Sequence, residues 1–204
     1  YRRPKHAEGY VLSFEEIGRK IDEAKAIGAM QILMQGGHNP YIPFEWYEDL
    51  LVYIKRHHPI HVHAFSPSEI EFFSQRFRMT IDQVIERLQA AGLDSIPGGG
   101  GEILVDRVRQ LVAKKKAQTD AWLGVMGAAH RHGMRASATM TMSTTSPRFS
   151  RFGREFSPVP KAVEAVTMVF FVRRSNGGIN ARCAAVKAPE VITLNSFVVS
   201  VMAM

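Results

Sequence analysis

The sequence predicts an α/β chain of repeated strand–helix units, about half of a parallel (β/α) barrel, followed by a tail of different character. Three observations carry this. Short apolar runs alternate with helix-period stretches, the pattern of parallel βα units. Glycine-bearing loops follow those runs, where parallel folds put their working groups. The charge balance also changes along the chain: residues 1–142 hold 18 Lys+Arg against 16 Asp+Glu, residues 143–204 hold 8 against 3.

The elements follow in order. Ser13 with Glu16 reads as a capping box opening a helix to about Ile27. Ile17, Ile21, Ala24 and Ile27 keep helical spacing, and Gly28 is the stop. Ala29 to Met34 is a short apolar run fit for a buried parallel strand, ending in the loop Gln35-Gly36-Gly37-His38-Asn39-Pro40. The unit then repeats. Phe44 to His57 reads as a helix with Trp46, Leu50, Leu51 and Ile54 on one face, and Ile60 to Phe65 as a strand. Ser66-Pro67 opens a helical stretch with Ile70 and Phe73 as core candidates. Thr80 caps a helix from Ile81 to Ala91 that Gly92 ends. Asp94 to Ile96 reads as a strand, Glu102 to Leu111 and Asp120 to His132 as helices, and Arg135 to Met140 as a strand after Gly133.

That makes four strands, where a complete eight-stranded barrel typically needs ~250 residues. A doubly wound sheet is the alternative. No strand is followed at once by the dinucleotide glycine pattern leading into a helix, which disfavours it. Beyond Met142 the grammar changes. No Asp occurs after Asp120 and no His after His132, and the apolar segments Ala165 to Val172 and Val191 to Met204 complete no βα unit. The reading is a barrel portion over 1–141 and an atypical basic tail over 142–204, frameshifted near Met142, irregular and poorly ordered.

Composition bounds the function. Hydrophobic residues make up 46% and charged residues 22%, which suits a soluble globular core. No apolar run reaches membrane-spanning length, so no membrane partner is expected. No initiator Met or signal peptide stands at the start; the chain opens as a fragment does, and a cytoplasmic location is the plain reading. The single cysteine, Cys183, excludes a disulfide framework and any multi-cysteine metal site within this chain. The net charge of +7 sits mainly in the tail and accompanies no nucleic-acid motif, so no nucleic-acid partner is expected.

Three clusters sit at or beside strand ends. In Gln35-Gly36-Gly37-His38 two glycines let a ligand approach the backbone; a plain tight turn explains them equally well. In His61-Val62-His63-Ala64-Phe65-Ser66 the two histidines share one face of a strand. They either hold a metal, as in barrel hydrolases, or divide into a structural and a substrate-facing histidine. In Pro97-Gly98-Gly99-Gly100-Gly101-Glu102 a glycine-rich loop runs into an expected helix N-terminus and can hold an anion or hydroxyl-rich ligand. Glu102 either accepts hydrogen bonds from ribose hydroxyls or complements the helix dipole. Lys114-Lys115-Lys116 reads as a solvated loop.

Together with Gly9-Tyr10-Val11-Leu12-Ser13, Trp46-Tyr47-Glu48-Asp49-Leu50-Leu51 and Ala91-Gly92-Leu93-Asp94-Ser95-Ile96, these clusters resemble the dehypoxanthine futalosine cyclases over about residues 1–141. Those are radical S-adenosylmethionine enzymes of menaquinone biosynthesis with a TIM-type barrel, related to the coenzyme F420 radical enzymes. The resemblance implies S-adenosylmethionine and a 4Fe-4S cluster as cofactors, a nucleoside-like small-molecule substrate and a reductant for the cluster. It implies hydrogen abstraction from the ribose portion of dehypoxanthine futalosine, followed by ring closure. By position, Gly36 and Gly37 match the glycine motif that meets the methionyl amino group, flanked by Gln35 and His38, and Glu102 lies near a ribose. His38, His61, His63 and Ser66 become substrate-side contacts. Two departures stand out. The family's three cluster cysteines would precede residue 1, with the first βα portion, leaving exposed strand edges; one thiolate does not ligate such a cluster, so radical chemistry is not expected of this chain alone. The family's continuation after Met140 is also missing. The competing readings are a metal-dependent barrel hydrolase using His61 and His63, and a non-catalytic remnant.

Overall fold

In the computed structural model, residues 9–101, 103–143, 165–175, 178–186, 196–200 and 202–203 are described. A two-residue strand, β1 (Tyr10–Val11), leads to α1 (Phe14–Ala26). Ser13 Oγ accepts the Glu16 N–H at 3.2 Å, and the Glu16 carboxylate accepts the Ser13 N–H at 2.8 Å, so the expected capping box forms. Ile17, Ile21 and Ala24 are buried along one stripe. Gly28 then takes φ 93°, which L side chains rarely adopt. The chain turns there into β2 (Gln31–Gln35).

The next units follow the same grammar. α2 (Phe44–His57) buries Phe44, Tyr47, Leu50, Leu51 and Ile54, a helical stripe over its whole length. Fully burying such a side chain stabilises by ~1.5–3 kcal/mol, so this stripe is what seats the helix. β3 (His61–Ala64) leads through Ser66 into α3 (Pro67–Phe77), and α4 (Ile81–Ala91) runs between Thr80 and a left-handed Gly92 at φ 119°. β4 is only Ser95–Ile96. α6 (Thr119–Arg131) precedes β5 (Arg135–Ser143).

One helix corrects the expectation. Between β4 and α6, α5 spans Asp106–Val112, not Glu102 to Leu111. The buried Arg109 side chain explains the late start. Its guanidinium donates to the carbonyls of Gly100, Ile103 and Ala117, which ties the preceding segment down as loop. The glycine-rich loop therefore does not sit on a helix N-terminus.

β2, β3, β4 and β5 lie side by side, all parallel. Neighbours in sequence are neighbours in space, as in the wall of a barrel; a doubly wound sheet would reverse order at a switch point. The pleat sorts the faces. Ile32, Met34, Val62, Ala64, Ile96 and Ala136 are buried and belong to the same apolar core as the helices. His61, His63, Ser95 and Ser137 stand on the other face, which in a barrel is the interior.

The tail departs from its expected irregularity. Its described residues are strands: β6 (Ala165–Ser175), β7 (Gly178–Val186), β8 (Ser196–Ser200) and β9 (Met202–Ala203). β6 pairs antiparallel with β5, and β7 with β6. β8 pairs parallel with the outer edge of β2, and β9 antiparallel with β1. Both edges expected to be bare are thus covered. The physical reason is that unpaired edge N–H and C=O groups are a template for any apolar, β-branched run within reach. Residues 144–164, just past the expected frame junction, lie outside the described residues.

Candidate active site at the carboxyl ends of the strands

β2 delivers Gln35-Gly36-Gly37-His38 to the carboxyl end of the sheet. Gly37 has φ 74°, so the turn requires a residue without a Cβ. The N–H groups of Gly36 and Gly37 both donate to Glu69 Oε1, at 2.8 and 3.1 Å. Glu69 comes from the first turn of α3 and is 3% exposed. Its other oxygen accepts from Ser66 N–H at 2.8 Å and from the Ser66 hydroxyl at 2.7 Å. The hydroxyl proton of Ser66 is therefore committed to Glu69. The His38 ring stacks on Phe72, centroids 4.9 Å apart and planes 4° from parallel. Burial holds its pKa below the ordinary histidine value, against the opposing charges of Glu69 and Glu71, so it is neutral near pH 7.

The interior face carries a second arrangement. His61 Nε2 lies 2.8 Å from Ser95 Oγ, and His63 Nδ1 lies 2.6 Å from the same oxygen. His63 Nε2 lies 3.1 Å from Ser137 Oγ, which accepts the Gly98 N–H at 3.1 Å. One hydrogen-bonded line thus runs from the amino end of β3 across β4 and β5 to the glycine-rich loop. His63 is buried, and burial followed by the neighbouring His61 pushes its pKa down to about 4. Both of its ring nitrogens are spent on serine hydroxyls, an arrangement that does not favour zinc. No group of three or more potential metal-ligating side chains occurs among the described residues.

The structure separates the two histidines by environment. His61 is half-buried at the amino end, with Nδ1 4.0 Å from Asp94 Oδ2. Asp94 is held by Lys55 Nζ at 2.5 Å and by Val62 N–H at 2.6 Å. A cavity of about 620 Å³ opens there, lined by Met30, Lys55, Ile60, His61 and Asp94 among others. It lies at the opposite end of the strands from Gly36, Gly37, His38 and Ser66. Parallel folds seat their ligands at the carboxyl end, so this cavity does not mark the active site.

Gly98 explains one glycine of the run. A Cβ there would stand 1.9 Å from the Ser137 carbonyl oxygen and 2.6 Å from Ala138 Cα, so the loop lies directly against β5. Gly99 faces Gln35, whose Nε2 would be 3.5 Å from an added Cβ. Gln35 and the glycine-rich loop are therefore neighbours, 64 positions apart in sequence. Glu102 lies outside the described residues. Sequence reasoning missed Glu69, Ser95 and Ser137. Ser66-x-x-Glu69 was visible as a capping-box spacing, but nothing in it announces the grip on residues 36 and 37.

The comparisons with known proteins come to the same part of the chain. It is 43% identical over 143 residues to the cyclic dehypoxanthine futalosine synthase of Halalkalibacterium halodurans, covering 70% of this chain and 39% of that protein. It is 43% identical over 140 residues to the FO synthase of Nocardia farcinica, covering 68% of this chain and 16% of that one. It is 36% identical over 134 residues to 5-amino-6-(D-ribitylamino)uracil–L-tyrosine 4-hydroxyphenyl transferase 2 of Methanosarcina mazei, covering 65% and 35%. The chain thus spans well under half the length of these relatives. The model of the radical SAM superfamily matches residues 1–147, which with the parallel βα wall makes the chain a member of that superfamily.

Proposed function

We propose that this chain is the cofactor- and substrate-facing wall of a radical S-adenosylmethionine enzyme that closes dehypoxanthine futalosine to its cyclic form. The observation that carries the reading is the Gln35-Gly36-Gly37-His38 loop at the carboxyl end of β2, braced by a buried carboxylate. The similarity to the futalosine synthase supports the choice of substrate, and the similarity to FO synthase marks the nearest alternative.

The residues present fit S-adenosylmethionine in one respect. The loop's amides are occupied by Glu69, so what it offers a ligand is carbonyl oxygen beside a buried negative charge, and both suit an ammonium group. When bound and reduced, S-adenosylmethionine supplies the radical that abstracts hydrogen from substrate. The residues do not fit the 4Fe-4S cluster: Cys183 is the single cysteine, and one thiolate does not hold it. This chain's own part is binding and orientation. Gln35, Gly36 and Gly37 meet the cofactor, with Glu102 toward a ribose. His38 and Ser66 are the substrate-side contacts, with His63 on the same interior face; His61, at the amino end of β3, joins that site only through Ser95 and His63. Neutral His38 keeps a ring nitrogen that can accept a hydrogen bond from a hydroxyl-rich nucleoside, while His63 has both of its nitrogens committed to Ser95 and Ser137.

The complete coding region, expressed without oxygen and reconstituted with iron and sulfide, tests this. Release of 5′-deoxyadenosine with dehypoxanthine futalosine, together with the cyclic product, is the expected result. Turnover of L-tyrosine with 5-amino-6-(D-ribitylamino)uracil instead would move the assignment to the other relatives' reaction.

A further inference from the structure

The two amides of Gly36 and Gly37 converge on one oxygen, the concave arrangement in which backbone N–H groups ordinarily receive an anion. Here that anion is the protein's own Glu69. A carboxylate has about four acceptor positions. Glu69 uses four, on Gly36, Gly37 and twice on Ser66, so it has none left for a ligand. Its charge is stabilised by these donors and by the N-terminus of α3. No cationic side chain forms an ion pair with it among the described residues. The nearby His38 is neutral and supplies no counter-charge.

From this we infer that Glu69 is a positioning residue: it grips both amides of the diglycine loop, leaving the loop's carbonyl groups and a net negative field to receive a ligand's ammonium group. The inference rests on reading that loop as the S-adenosylmethionine subsite. It assigns the loop a preference opposite to that of a phosphate-binding turn, because the anion position is already filled from within. Replacing the carboxylate by an amide keeps the size but converts one acceptor into a donor. A glutamine can satisfy the loop or Ser66, not both, and carries no charge.

Calorimetric titration of the 204-residue chain tests it with two probes. One is 5′-methylthioadenosine, which has no amino group; the other is decarboxylated S-adenosylhomocysteine, which adds an amine without a carboxylate. The chain is expected to bind the amine probe tighter by about tenfold or more. Glu69→Gln should reduce that preference to less than about twofold and leave the affinity for 5′-methylthioadenosine unchanged. Glu69→Asp, which keeps the charge, should retain part of the preference. A preference that survives Glu69→Gln overturns the inference. So does loss of both probes together, which would make Glu69 merely structural. A chain that binds 5′-methylthioadenosine without preferring the amine overturns the ammonium assignment. Binding of neither probe to the unaltered chain instead defeats the cofactor reading underneath.

Discussion

His63 shows how much a single buried side chain can determine. On an exposed strand its ring would titrate near 6.5; here burial takes it to about 4, and two serine hydroxyls satisfy it without charge. Because the folded pKa is lowered, the unfolded chain binds more protons between pH ~6.5 and ~4. Stability is therefore full above that window and falls as the pH drops through it, by up to ~3 kcal/mol from this group. In an NMR titration the His63 Cε1–H signal should hold its position from pH 7.5 to 5 and move only near 4. A midpoint at 6.5 would mean that the ring is not enclosed as described. The residue also shows where sequence reading stops. The spacing of His61 and His63 is enough to put them on one face, but only Ser95, 32 positions further on, joins them.

At the scale of elements, the glycine-rich loop is set by what it touches. It follows β4 and lies on β5, and Gly98 meets the Ser137–Ala138 backbone there. Gly98→Ala must push β4 and β5 apart and should cost about 2–4 kcal/mol. Gly99→Ala, whose added methyl meets only the end of Gln35 at ordinary contact distance, should stay within ~1 kcal/mol. Urea melts of the two variants make the comparison; equal losses would deny the close approach. The helices around the loop divide in the same way. α1 and α4 begin and end where their caps and apolar stripes say, and α2 where its apolar stripe says, because those signals act within a few residues. α5 begins four residues late because a buried guanidinium, bonded to carbonyls on both sides, holds the segment before it.

For the whole molecule, the governing fact is an incomplete barrel wall with two edges to cover. β8 lies along β2 from Gln31 opposite Ser196 to Gln35 opposite Ser200. β2 is thereby an inner strand, and its position bears directly on the loop that follows it. Deleting residues 187–204 should speed amide exchange in residues 31–35 by about tenfold or more, while α2 keeps its protection. Exchange unchanged in β2 would show that β8 does not guard this edge. Such a loss should also loosen Gly36 and Gly37, since they continue the same strand.

By itself the sequence determined the alternation of strands and helices, the caps, the apolar faces, the loop after β2 and the common face of the two histidines. These depend on period, on capping and on the strand's pleat, all of which act over a few residues. Only the tertiary structure decided that Glu69 closes on Gly36 and Gly37 across 33 and 32 positions. It alone brought Ser95 and Ser137 to His63, Gly98 to β5 and the tail to the open edges. Such contacts are set by which strands lie side by side and by the need to satisfy every buried donor and acceptor, and no local pattern in a chain encodes that need.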